Sequence, residues 1–346
     1  MRIAKHVRRL AGYTPGEQPK SKNVVKLNTN ENAYPPSPTI TKTLATFDLD
    51  RLRRYCDPDC TELKKALAEL NATTPDRIFV GNGSDEILAI AAKTFVENDE
   101  KIASLDPSYS LYKTLAAIRD VEWVGLESEK LKVKSEKLRK VSLFLLTNPN
   151  APTGEFREID EIEKFAKTFK GVVIVDEAYG DFARANAMAL ATEENNRNVI
   201  VMRTFSKSFS LAGLRVGYCV GPKDLIEAMT KVKDSYNVDA IAQAVALAAV
   251  KDVKWMRQNV AKIVKTRGDF TAALVKRGWN MIPSESNFVF AEPPKPLKAA
   301  EIFAALKARN IFVRYFPGKK TGSRLRITIG TPAQMKKLLK AIDELS

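Results

Sequence analysis

Histidine is almost missing from this chain of 346 residues: His6 is the only one. A Ser-His-Asp triad would have to be built on that residue, and a zinc site with two histidines is excluded. Cysteine is nearly as scarce. Cys56, Cys60 and Cys219 are too few for a disulfide framework and fit a reducing compartment. Cys56 and Cys60 are spaced i, i+4, but with one histidine in the chain they read as unbridged loop thiols and no metal site is expected. Long apolar runs are absent too. The longest, Ile241 to Val250, is interrupted by Gln243 and falls far short of the ~20 residues that cross a bilayer. The basic N-terminus, MRIAKHVRRL, lacks the apolar stretch of a secretory signal. A cytoplasmic protein without membrane contact is therefore expected. No GxxxxGK[ST] loop, internal repeat or low-complexity segment occurs.

Acidic residues are outnumbered: 41 Asp and Glu face 56 Lys and Arg, a formal charge of +15. Such a surplus admits nucleic acid, an anionic membrane or acidic small substrates as partners. The cations are scattered and often sit beside acids, as in KLKVKSEKLRK over residues 130–140. No groove-reading motif accompanies them, so they read as a solvated surface biased toward anionic metabolites. With 45% hydrophobic and 28% charged residues, the composition is that of a globular protein of about two domains.

The first forty residues, rich in Pro, Asn and Lys, read as an extended arm, with Pro35, Pro36 and Pro38 opposing a helix. From Thr61, TELKKALAEL has helical spacing. Strands and helices then alternate. Strands are expected at 77–81, 101–105, 121–126, 141–147, 171–176, 198–204 and 216–220, with helices at 85–96, 109–118 and 159–169. VSLFLLT and GVVIVD are continuous apolar runs of the kind buried on both faces of a parallel sheet. The expected division is an N-terminal arm over 1–44, a large α/β domain over 45–240 and a smaller α+β domain over 241–346, which the arm joins.

Four segments carry chemistry. In RTFSKSFSLAGLRVGY, Lys207 sits in a hydroxyl-rich turn after a buried strand, with Arg215 eight residues on. This is a setting for a Schiff-base lysine, with Thr204, Ser206 and Arg215 holding an anion. In GVVIVDEAYGDF, Asp176 ends a buried strand and Tyr179 follows, at the strand end where open α/β sheets place their sites. GNGSDEIL, residues 81–88, leads two glycines into a helix, a setting for phosphate. TNPNAPTG, residues 147–154, is a proline-stiffened turn carrying two asparagines. Taken singly, each also has a plain structural reading: a loop lysine beside an Arg, a capping Asp, a capped helix, a turn chosen for shape.

Together, and with GYTPGEQP, LNTNENAYPPSP, RLRRYCDPDCTELKKALAE, DPSYSLY, SNFVF, IFVRYF and LRITIGT, their order resembles the histidinol-phosphate aminotransferase family over nearly the whole chain. The resemblance implies fold type I of the pyridoxal 5′-phosphate enzymes: a large domain with a mostly parallel sheet and a smaller α+β domain. It implies Lys207 as the Schiff-base lysine, Asp176 as partner of the pyridine nitrogen and Tyr179 as partner of the ring hydroxyl. Tyr109 would stack on the ring, and Ser84, Asp85, Ser206 and Arg215 would cup the phosphate. Tyr55 would reach the neighbouring subunit's cofactor, which implies a homodimer with shared sites. Arg314 and Arg326 would bind substrate anions, and Asn30 and Tyr13, in the N-terminal motifs, would face the substrate. The implied reaction is transamination between histidinol phosphate and 2-oxoglutarate. Freed Lys207 would act as general base, its pKa lowered by Arg215 and partial burial.

Two departures stand out. The Asn usual before Pro-Thr-Gly is Ala151, so either Asn150 or Asn148 contacts the ring oxygen instead, or that contact is lost. The usual Tyr-Pro-Asp reads Tyr55-Cys56-Asp57. An aromatic-amino-acid aminotransferase or a threonine-phosphate decarboxylase of the same fold shares most of these motifs. A transcription regulator with an aminotransferase-like domain would need a DNA-binding domain, for which the stretch ahead of the first motif is too short, and no nucleic acid is expected.

Overall fold

The computed structural model describes residues 2–12, 16–21, 23–127, 136–193 and 196–345. The arm contributes α1 (Lys5–Arg9), β1 (Val25–Lys26) and α2 (Pro38–Ala45), and α3 (Thr61–Leu70) follows. The large sheet is then laid down as β2 (Ile78–Gly81), α4 (Ser84–Phe95), β3 (Lys101–Leu105), α5 (Leu111–Ile118), β4 (Glu122–Leu126), β5 (Val141–Thr147), α6 (Ile159–Thr168), β6 (Val172–Asp176), α7 (Met188–Thr192), β7 (Val199–Thr204) and β8 (Gly217–Val220). Helices α8 (Lys223–Val232), α9 (Ala240–Lys251) and α10 (Val253–Val275) lead to β9 (Asn280–Ile282), β10 (Phe288–Glu292), α11 (Ala299–Ala308), β11 (Ile311–Phe312), β12 (Arg314–Tyr315), β13 (Leu325–Thr328) and α12 (Pro332–Asp343).

The seven-stranded sheet has the order β2-β8-β7-β6-β5-β3-β4. Strands β4, β3, β5, β6 and β7 are parallel, and β8 runs antiparallel to both of its neighbours. The apolar run in β5 follows from this position. Phe144 and Leu146 enter the core on one face while Leu143 and Leu145 enter the core on the other, which only a strand covered on both sides allows. A second, antiparallel sheet has the order β12-β13-β10-β9. The arm joins this end of the molecule through β1, which pairs in parallel with β11.

Two expectations about local structure need correction. The arm is not extended throughout: α1 and α2 are helices within it. Pro38 opens α2 rather than preventing it, because it occupies the first turn, where a missing N–H costs nothing; the Ser37 hydroxyl accepts from the Thr39 amide to cap the helix. The segment IFVRYF, residues 311–316, is not one continuous strand. It divides at Val313, since β11 pairs with β1 and β12 with β13. Most of the basic run at 130–140 lies outside the described residues.

Phe144 is fully buried, with the Phe165 ring edge-on at 4.7 Å. Replacing it with alanine leaves a cavity between β5 and the helix that covers it and should cost about 3–5 kcal/mol. Urea unfolding checks this through a lower midpoint at an unchanged slope.

Candidate active site

Strands β2, β3, β5, β6 and β7 end along one edge of the sheet, where open α/β folds bind ligands. A cavity of about 620 Å³ lies there. One wall comprises Thr147, Asp176 and Thr204 from strand ends together with Lys207; the facing wall comprises Thr29 to Glu31 of the arm and Arg314 and Arg326 of the small sheet.

Lys207 lies in the turn after β7. The Ser206 amide donates to Thr204 Oγ1 at 3.1 Å, and Asn32 Nδ2 donates to the carbonyls of Lys207 (2.9 Å) and Ser208 (3.1 Å). The Ser208 hydroxyl donates to Asp181, which with Glu177 flanks the buried Arg203, at 2.6 and 2.7 Å. Burial opposes the charge on Arg203, but the two carboxylates overcome it and hold the guanidinium firmly cationic. Lys207 Nζ donates to the Thr29 carbonyl at 3.2 Å. Enclosure by protein lowers its pKa from 10.5 to about 8, seconded by Arg326, against the pull of Glu31 and Asp85. Arg215, expected to lead with burial, contributes least.

Asp176 is buried at the end of β6 and has no ion-pair partner among the described residues. Its Oδ1 accepts from the Ala178 amide (3.0 Å) and its Oδ2 from the Tyr112 hydroxyl (2.7 Å), which in turn accepts from Thr147 Oγ1 (2.6 Å). Burial outweighs these bonds and pushes its pKa up to about 6. A carboxylate buried this way facing a cavity fits a cationic partner. Tyr179 Oη accepts from Asn30 Nδ2 at 2.9 Å, and its ring meets Phe288 edge-on at 5.0 Å.

One end of the cavity is built for an anion. Ser84 and Asp85 open α4, and Ser206 and Arg215 face them. Arg215 Nη1 donates to Ser206 Oγ at 3.2 Å. A Cβ on Gly83 would stand 2.6 Å from Arg215 Nη2, and its φ of +83° favours glycine as well. Hydroxyls, a guanidinium and the free amides of a helix start form an anion cup. The Asp85 carboxylate is not part of it. It accepts from Tyr109 Oη (3.2 Å) and lies 3.5 Å from Arg215 Nη2, so it positions those two groups, while the main-chain amide of Asp85 lies in the first turn of α4. At the other end, Arg314 and Arg326 are register partners on β12 and β13. Arg326 Nη2 donates to the Asn28 carbonyl at 2.9 Å, and both guanidiniums stack on Phe316. Like charges so placed repel unless an anion joins them.

Asn150 and Asn148 do not reach the cavity. Asn150 Nδ2 donates to Pro107 O and Thr153 Oγ1 and its Oδ1 accepts from Ser108, while Asn148 exchanges bonds with the Arg157 main chain. Their amides are consumed in shaping the turn, and Ala151 lines the cavity instead. Tyr55 is 83% exposed and stacked on Tyr236 at 4.3 Å, away from this chain's own cavity. Tyr13 lies outside the described residues. Cys56 Sγ donates to Val238 O, and burial pushes the Cys60 thiol up to about 12. Sequence reasoning missed Tyr112, Thr147, Asn32 and the Glu177–Arg203–Asp181 group. An arginine inside the apolar run of β7 was the available signal for the last, since a buried guanidinium requires carboxylates.

Fold and site define a class, the class I and II aminotransferases, and the model of that family matches residues 22–342. A histidinol-phosphate aminotransferase of Geotalea daltonii is 40% identical over 100% of this chain and 99% of its own length. One of Microcystis aeruginosa is 41% identical over 98% of this chain and 97% of its own. The crystal structure of histidinol-phosphate aminotransferase from Sinorhizobium meliloti in complex with pyridoxal-5′-phosphate superposes with a TM-score of 0.87 at 25% identity, covering 100% of this chain and 98% of that one. The chain belongs to the histidinol-phosphate aminotransferase family.

Because the folded pKa of Lys207 lies below its ordinary 10.5, folding disfavours the ammonium. The penalty is fully present below pH 8 and fades as pH rises toward 10.5. Without ligand, Lys207→Met should therefore be more stable than the parent at pH 7 by about 2 kcal/mol, with the gap narrowing by pH 10. Urea titrations across that range check both size and sign.

Proposed function

We propose that this chain is a pyridoxal 5′-phosphate-dependent aminotransferase exchanging the amino group between histidinol phosphate and 2-oxoglutarate, with imidazole-acetol phosphate and glutamate as products. The observation that carries the reading is the enclosed amine of Lys207, in one cavity with Asp176, Tyr179, Arg314 and Arg326.

The donor set fits the cofactor. Ser84, Ser206, Arg215 and the amides at the start of α4 would take its phosphate. Asp176, buried without a cationic partner among the described residues, would take a protonated ring nitrogen, whose charge would keep the carboxylate ionised. Tyr179 would take the ring oxygen, Tyr109 the ring face and Lys207 the aldehyde. When bound there, the cofactor supplies an aldehyde carbon and an electron-accepting ring that together ease cleavage of a Cα–H bond.

Lys207, with its pKa of about 8, holds a usable fraction of free amine near neutral pH, as a general base requires. It accepts the substrate's Cα proton. The hydrogen bonds from Asn32 to the main chain of the turn keep that amine in place. Arg314 and Arg326 orient the substrate through its anionic group, a phosphate in one substrate and a carboxylate in the other. Because both substrates use one site in turn, the kinetics are ping-pong.

The active form is a homodimer. Tyr55 is directed at the partner's phosphate cup, a reading supported by its exposure beside the exposed apolar side chains of Leu49, Leu52 and Tyr236. Three free thiols support residence in the reducing cytoplasm.

Mixing the purified holoenzyme with single amino donors tests the substrate. Histidinol phosphate should discharge the visible band at least ~10²-fold more efficiently than phenylalanine; equal responses, or a preference for phenylalanine, overturn the assignment. Arg326→Gln should raise KM for histidinol phosphate and glutamate alike, by roughly 10–100-fold, as steady-state kinetics would show.

A further inference from the structure

Asn30 is fixed more thoroughly than binding a passing substrate requires. Its amide donates to Thr328 Oγ1 at 3.0 Å, the Thr328 hydroxyl donates back to its Oδ1 at 3.0 Å, and Asn287 Nδ2 donates to its carbonyl at 3.0 Å. The residue is buried and holds φ +55°, a conformation that Asn tolerates better than other side chains. With Oδ1 committed to Thr328, the amide can point only its nitrogen at Tyr179 Oη, 2.9 Å away. An amide nitrogen donates and cannot accept. Tyr179 therefore cannot spend its own hydrogen on Asn30.

On the other side of the cavity, Ala151 stands where the resemblance places an asparagine, and neither Asn148 nor Asn150 reaches in its stead. We propose that Asn30 is a positioning residue that donates to Tyr179 Oη, strengthening the phenol as a donor toward the cofactor's ring oxygen and offsetting the contact that Ala151 cannot make. A donor on a phenol oxygen stabilises the charge that builds there as the O–H is shared, and so strengthens that O–H as a donor. Because Thr328 lies on β13 and Asn287 just before β10, the small sheet sets the aim of the arm's Asn30 at Tyr179, in the turn after β6 of the large sheet. This inference rests on the proposed function.

Among the described residues, the charged groups that line the cavity with Tyr179 include Lys207 from the β7 turn, whose Nζ is 6.0 Å from the ring centroid, Asp176 from β6, Glu31 from the arm, Arg215, Arg314 from β12, and Arg326 from β13, which stacks on the Phe288 ring that Tyr179 meets. Asn30→Gly leaves all of them in place and keeps the positive φ without strain. The experiment is a pH titration of the visible absorbance of the holoenzyme, for the parent, Asn30→Gly, and Asn30→Gly combined with Ala151→Asn. Asn30→Gly should raise the midpoint by about one pH unit, tenfold in proton affinity, and lower kcat with KM for glutamate nearly unchanged. Adding Ala151→Asn should reverse at least half of the shift. An unmoved midpoint in Asn30→Gly overturns the inference, and so does a shift that Ala151→Asn leaves in place, since that marks a purely structural role. A parent protein with no visible band overturns the functional reading itself, and this inference with it.

Discussion

An enclosed amine at the edge of a parallel sheet is the constraint around which the rest of this molecule is arranged. Lys207 reaches the cavity because β7 ends at Thr204 and its turn is clamped from two directions. Asn32 holds the main chain from the arm, and Ser208 is tied through Asp181 to the buried Arg203 and Glu177. The amine is enclosed because a second layer covers it. The arm supplies the Thr29 carbonyl that accepts from it, and the small sheet supplies Arg326, the charge that most lowers its pKa after burial itself. Neither layer encloses the amine alone.

Such a site works against stability. A lysine and a carboxylate, Asp176, both have pKa values displaced toward their neutral forms, so each costs free energy whenever it is charged in the empty protein. The continuous apolar packing on both faces of the seven-stranded sheet offsets this. Under the proposed function, a cationic ring held by Asp176 would relieve the carboxylate's share of that cost.

Much of this was legible in the residues, for physical reasons that can be named. The strands of the large sheet are covered on both faces, so β5 and β6 announce themselves as unbroken apolar runs. Lys207 and Arg215 stand out because hydroxyls and glycines around a cation have no packing purpose. What stayed hidden depends on pairings distant in sequence. Nothing local distinguishes Asn150, which shapes its own turn, from an asparagine that faces a ligand; the difference is made by Pro107 and Ser108, about forty residues away. Tyr112 reads as core because it lies on the buried face of α5, and only the fold brings its hydroxyl to Asp176. Pro38 misled because proline's effect depends on whether it stands first in a helix or inside one.

Reduction of the purified holoenzyme with borohydride, followed by peptide mapping, tests the central claim most directly. Hydride makes the link between cofactor and lysine permanent, so the adduct mass marks the residue that carried it. The account predicts a single pyridoxyl adduct on the peptide containing Lys207. An adduct on another lysine, or none on a protein that retains its colour, would contradict it.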